Sequence, residues 1–148
     1  MIRRRQFLFA VIIVSLGGCG YPDQGTRLDY DGEFNESQNS FHMDGYVELT
    51  AVNPVRNNYN NITVEFYARN GTLLHKERLG SLQDRSDRLK VSVRTTNTPY
   101  YIIFDSPDIW TGKDQTSIVY YTRSETGYQG YQLNHANKRS DLPVTPSG

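Results

Sequence analysis

From residue 41 onward, apolar and polar residues alternate with a period of two, and no window shows the 3.6-residue period of a helix. Residues 41–52 (FHMDGYVELTAV) put Val47, Leu49 and Ala51 on one face, and Asn53-Pro54 closes the run as a turn signal. A polar loop, NNYNN, follows at 57–61. Residues 62–68 (ITVEFYA) then place Ile62, Val64, Phe66 and Ala68 on one side, with Thr63, Glu65 and Tyr67 on the other. That is the pattern of a half-buried strand. Between it and 72–77 (TLLHKE) lies Asn70-Gly71, the strongest short-range hairpin signal, which predicts a type I′ turn with positive φ at both central residues. Residues 88–95 (RLKVSVRT) alternate with Leu89, Val91 and Val93 inward. The apolar run YYIIF at 100–104 reads as a central strand, and 116–123 (TSIVYYTR) and 128–133 (YQGYQL) complete the series, with Gly130 marking a bulge or close approach.

About seven strands spaced by roughly 8 to 12 residues predict an all-β fold, an immunoglobulin-like antiparallel β-sandwich. Composition agrees: tyrosine occurs at 11 positions, and tyrosine with Thr and Val favours strands. At 148 residues the chain holds one domain of ordinary size.

The first 18 residues break the alternation. Residues 7–16 (FLFAVIIVSL) are ten uncharged residues that as a helix would span roughly 15 Å, about half of a bilayer's hydrocarbon core. Arg3, Arg4 and Arg5 precede them and small residues follow, the order of a cleaved export signal. Removing residues 1–18 changes the charge: 16 basic residues less those three arginines leave 13 against 16 acidic, a net −3. No basic face remains to hold a phosphate backbone, so nucleic acid is not an expected partner. Cys19 is the only cysteine, which excludes an intramolecular disulfide, and no nearby histidine offers it a general base. Set between Gly18 and Gly20, it competes between a buried thiol and an attachment point.

Two motifs in this segment resemble known families. Arg4-Arg5-Gln6-Phe7-Leu8 resembles the twin-arginine export signal, carried by substrates exported already folded. Leu16-Gly17-Gly18-Cys19 resembles the lipobox of prokaryotic lipoproteins. That resemblance implies a diacylglyceryl group on Cys19, which becomes the mature N-terminus. Two acyl chains hold a protein firmly where one would not, so the implied partner is membrane lipid, on an extracytoplasmic surface such as the outer face of the cytoplasmic membrane. The whole chain looks like the small twin-arginine lipoproteins of halophilic archaea. Residues 46–105 are similar to small FxLYD-like sandwich modules, through Val52-Asn53, VEFY, NGTLL and GSL. Such modules carry no catalytic site to transfer.

Four regions are therefore expected: 1–18 export signal, 19–40 lipidated Cys and flexible tether, 41–136 sandwich, and 137–148 a strapped or frayed tail. The tether reading rests on 20–40 being dense in Gly, Asp, Asn, Gln and Ser; it allows a short strand near Arg27 to Phe34. Asn35, Asn61 and Asn70 each begin an Asn-x-Ser/Thr sequon and are candidate glycan acceptors, against turn chemistry as the alternative. Asp29, Asp31, Glu33 and Asn35 alternate as calcium ligands do, but without the EF-hand spacing. His42, His75 and His135 share no motif, so no metal and no cofactor are expected. Hydrolase, nucleotide and P-loop motifs are absent from the sequence. Tyr120, Tyr128 and Tyr131 form a candidate binding patch for a glycan or peptide, against core packing as the alternative. The function these features suggest is a non-enzymatic interaction or cell-envelope module, reaching an envelope protein or glycan. A ligand-binding lipoprotein using exposed tyrosines is the alternative.

Overall fold

The computed structural model describes residues 26–51, 58–84, 86–110, 118–125, 130–136 and 139–147. Eight strands run through them: β1 (Thr26–Ser37), β2 (Ser40–Ala51), β3 (Tyr59–Tyr67), β4 (Leu73–Leu82), β5 (Arg88–Thr95), β6 (Tyr101–Asp105), β7 (Ile118–Arg123) and β8 (Tyr131–Ala136). They form two antiparallel sheets, β1-β2-β5 and β4-β3-β6-β7-β8. The chain crosses from the first sheet to the second after β2, returns for β5, and crosses again to β6. That is the strand exchange of an immunoglobulin-like sandwich, with β8 added beyond β7.

Alternation decides which residues fill the space between the sheets. From the three-stranded sheet come Leu28, Tyr30, Phe41, Met43, Val47, Leu49, Val91 and Val93; from the other come Val64, Phe66, Ile102, Phe104, Val119 and Tyr121, all buried. The aromatic rings interlock at one end. Phe41 meets the Phe66 ring edge-on at 5.4 Å and the Tyr131 ring at 5.6 Å, and Phe34 lies 4.8 Å from Tyr131 and 5.1 Å from Tyr121. Burial pushes the Tyr30 and Tyr131 phenols well above their usual range. Each hydroxyl keeps a partner, Tyr30 Oη donating to the Glu33 carbonyl at 2.7 Å and Tyr131 Oη to the Pro99 carbonyl at 2.6 Å.

The stretch read as tether is the largest difference from the sequence expectation. Residues 26–37 form a twelve-residue strand paired with β2 along its whole length, from Thr26↔Ala51 to Ser37↔Ser40. Its mean composition is polar because Asp31, Glu33, Asn35 and Ser37 on one face are exposed. The other face carries Leu28, Tyr30 and Phe34 at alternate positions, which is all a half-buried strand requires. At the fourth inward position Gly32 pairs with Gly45, and the two backbones approach so closely that a Cβ on Gly45 would lie 2.4 Å from the Asp31 carbonyl oxygen.

The loop expected at 57–61 is also partly strand, since β3 begins at Tyr59, which is fully buried. Asn61 there has φ +52°, beside the register shifts that offset Ile62 against Gly80. The β3–β4 hairpin forms at Asn70-Gly71 as expected, but its turn is of a different type. Only Gly71 has positive φ, at +92°; Gly71 N–H donates to the Ala68 carbonyl at 2.9 Å and Ala68 N–H to the Thr72 carbonyl at 2.8 Å. This is a type I turn followed by a glycine bulge, not the two-residue I′ turn. β5 spans the residues read from the sequence, Arg88–Thr95.

Candidate functional site

The face of the five-stranded sheet that points away from the sandwich core is not bare. Residues 139–147 lie against it as a strap that starts with a short 3₁₀ turn, Arg139–Asp141, bends at 142–144 and pairs with no strand among the described residues. Leu142, Val144 and Pro146, at alternate positions, are buried, while Pro143, Thr145 and Ser147 are exposed. On that face Glu65 and Tyr67, which touch the strap, and Ile103 and Ala136 are all at or below 3% exposure although they point outward by alternation. The expectation that Glu65 and Tyr67 lie on a solvated face fails because the tail supplies a third layer.

Three polar contacts tie the strap down. Tyr67 Oη donates to the Thr145 carbonyl at 3.3 Å, Ser147 N–H donates to Glu65 Oε1 at 3.0 Å, and Arg139 Nη2 lies 3.4 Å from Asp105 Oδ2. Tyr67 Oη also bonds to Glu65 Oε1. Burial first, and then donation to that carboxyl group, push the Tyr67 phenol well above its usual range. The second Glu65 oxygen is different. Glu65 Oε2 is the buried side-chain oxygen without a hydrogen-bond partner among the described residues, and its nearest cation, Lys76 Nζ, stands 3.9 Å away. A buried acceptor left unmade costs about 1–3 kcal/mol, and more for a charged group. The site thus holds one unmet acceptor on a carboxyl group with no solvent exposure.

Of the tyrosines named from the sequence, Tyr120 and Tyr131 stand on opposite faces of the five-stranded sheet. Tyr131 points between the sheets against Phe34 and Phe41, whereas Tyr120 stands on β7 opposite Ile103 and Asn134, on the outward face. Tyr120 is half-buried and Tyr128 lies outside the described residues. Tyr131 is therefore a partly buried residue packed against the core, on the inward face that its alternation on β8 with exposed Gln132 would suggest. Cys19 and the export-signal residues Arg4, Arg5, Phe7 and Leu8 also lie outside the described residues. All three sequon asparagines are exposed: Asn35 on β1, Asn61 at the bulge of β3, and Asn70 in the turn, where its Oδ1 accepts from Thr72 N–H at 3.0 Å.

Asp29, Asp31, Glu33 and Asn35 line the solvent face of β1, about 7 Å apart in sequence along an extended strand, so they cannot converge on one ion. They form instead the acidic edge of a charged sheet face whose other edge is basic. Arg88 reaches Asp31 and Glu48, each at 3.2 Å, and Lys90 reaches Asp44 at 2.9 Å, which lowers the Asp44 carboxyl and raises the Lys90 ammonium. Between these strands Tyr46 is covered by the Arg88 guanidinium, 4.3 Å from its ring centre. His42 lies on this face near Ser92, His75 pairs with Glu77 on β4, and His135 is on β8. Among the described residues no group of three or more His, Cys, Asp or Glu side chains is placed to hold a metal ion, and no helix is long and apolar enough to cross a membrane.

Sequence reasoning did not single out Glu65, and one signal bore on it. The tail reads Leu142-Pro143-Val144-Thr145-Pro146, an alternation of apolar and exposed positions too short to count as a strand but long enough to cover a sheet face. No family model, no curated protein and no solved structure matches this chain.

Proposed function

We propose that the chain is a lipid-anchored, extracytoplasmic β-sandwich that works by binding rather than by catalysis, as an interaction module of a prokaryotic cell envelope. The observation that carries this reading is the order of three features in the first 19 residues: Arg4-Arg5-Gln6-Phe7-Leu8, an apolar run too short to span a bilayer, and Leu16-Gly17-Gly18-Cys19. Each part is explained by export and lipidation, and no other reading uses all of them.

The strand β1 alters what anchoring would mean. Only six residues separate Cys19 from Thr26, so the link from the lipid to the first strand reaches at most roughly 25 Å. An anchored sandwich would ride close to the headgroups, with its charged β1-β2-β5 face and its strapped face both available to neighbours.

The reading is tested by replacing Cys19 with Ser and fractionating cells. Loss of membrane retention is expected; a Cys19→Ser chain that stays in the membrane fraction contradicts lipid anchoring. Changing Arg4 and Arg5 to Lys in the same experiment is expected to block export, and continued export would assign the chain to the general pathway.

A further inference from the structure

We propose that Asn70 is the glycan acceptor of this chain: its side-chain amide, held at the tip of the β3–β4 hairpin, takes a sugar from a lipid-linked sugar phosphate, while Asn35 and Asn61 stay bare. The proposal rests on the export reading above for its place in the cell. In the transfer, Asn70 Nδ2 bonds to C1 of the sugar, the bond from C1 to the phosphate oxygen breaks with its electron pair going to the phosphate, and one Nδ2 proton is released.

A sequon by itself says only that the residue types are right, and three are present. The fold separates them. Because the pattern is an asparagine amide with a hydroxyl two residues on, a transferring enzyme has to take the whole tripeptide into one site. Asn35-Glu36-Ser37 is engaged at each position. Asn35 pairs with His42 in the β1-β2 ladder, the Glu36 carboxylate accepts from Arg123 at 2.7 and 3.1 Å, and the Ser37 and Ser40 hydroxyls lie 2.7 Å apart. Asn61-Ile62-Thr63 is held at its centre: Asn61 is exposed, but Ile62 is fully buried, and Thr63 pairs with Arg78 on one side and Asp105 on the other. Presenting either tripeptide means opening a strand that is part of the folded core.

Asn70-Gly71-Thr72 needs no such opening. All three residues are exposed, and they lie between Tyr67 and Leu73, where the β3–β4 ladder ends and resumes. The carboxamide is also committed at one end: Asn70 Oδ1 accepts from Thr72 N–H at 3.0 Å, which leaves Nδ2 as the free end. Neither Nδ2 nor the Thr72 hydroxyl has a hydrogen-bond partner among the described residues. Between them Gly71, at φ +92°, has no side chain to obstruct an approach. A chain that folds before it meets the enzyme therefore offers this one acceptor.

The experiment is mass spectrometry of the peptides that carry the three asparagines, taken from the full chain purified from its native envelope. The Asn70 peptide is expected to carry the added mass of one or more sugar residues, and the Asn35 and Asn61 peptides none. Thr72→Ala is expected to remove that mass and Thr72→Ser to keep it. Both variants leave Asn70 and the main-chain N–H of residue 72 in place, so a loss is assigned to the hydroxyl and not to a broken turn. An Asn70 without sugar, sugar on Asn35 or Asn61, or sugar that survives Thr72→Ala would each overturn the proposal. Removal of residues 1–18 is read in the same spectra. A processed chain with a bare Asn70 overturns the acceptor alone, whereas a bare chain that keeps those residues overturns the export reading as well.

Discussion

Phe41→Ala is expected to cost about 3–5 kcal/mol of folding stability and to lower the melting temperature by roughly 12–20 °C. Phe41 is fully buried and sits where the two sheets are joined by rings, meeting Phe66 on β3 at 5.4 Å, Tyr131 on β8 at 5.6 Å and Phe34 on β1 at 6.4 Å. Truncation leaves a cavity that these three rings cannot fill without leaving their own contacts. Leu73, which is 40% exposed, serves as the control, and Leu73→Ala is expected to stay within about 0.5 kcal/mol. Urea or thermal unfolding followed by circular dichroism measures both. A loss below about 1 kcal/mol for Phe41→Ala would mean that the sheets are not packed through this residue.

The second large effect belongs to a methyl group. Gly45→Ala is expected to destabilise the fold by about 3 kcal/mol, at the upper end for overpacking, because the added carbon would meet main chain and not a movable side chain. Its neighbours would be the Asp31 carbonyl oxygen at 2.4 Å and the Gly32 Cα at 2.5 Å. Relief requires β1 and β2 to separate, and that would unseat Tyr30, whose hydroxyl would lie 2.5 Å from a Cβ on Gly32. The effect should be visible as faster amide exchange along β1 together with a lower unfolding midpoint. A Gly45→Ala chain as stable as the parent would contradict the close pairing of Gly32 with Gly45.

These two positions also show what the sequence made legible. Phe41, Met43, Val47, Leu49, Val91 and Val93 lie in runs where alternation is clean, and the strands they build are where periodicity puts them. Leu28, Tyr30 and Phe34 alternate just as cleanly, but the residues between them are Asp29, Asp31, Gly32 and Glu33, and averaged composition hid the period. A strand with one solvated face and a glycine on the other looks, by composition, like a tether. The turn at Asn70-Gly71 was located by its dipeptide, while its type depended on how Ala68 and Thr72 close the hairpin, which a dipeptide does not encode.

The candidate site was less legible for a physical reason. Glu65 and Tyr67 read as the wet side of a strand because a period of two reports two faces but not what covers them. What covers them lies some 75 residues further along, in a tail whose two prolines forbid a regular ladder. Tyr131 was legible as an aromatic on a strand, and only the facing rings of Phe34 and Phe41 assign it to the core. For Tyr120 the outward face follows from its pairing opposite Ile103.

The lipid proposed on Cys19 would hold this sandwich at a membrane surface. The most direct measurement is the mass of the N-terminal peptide of the chain purified from its native envelope. The expected result is a chain that begins at Cys19 and carries the added mass of a diacylglyceryl group on its sulfur. A chain that begins elsewhere, or a Cys19 with an unmodified thiol, would contradict it.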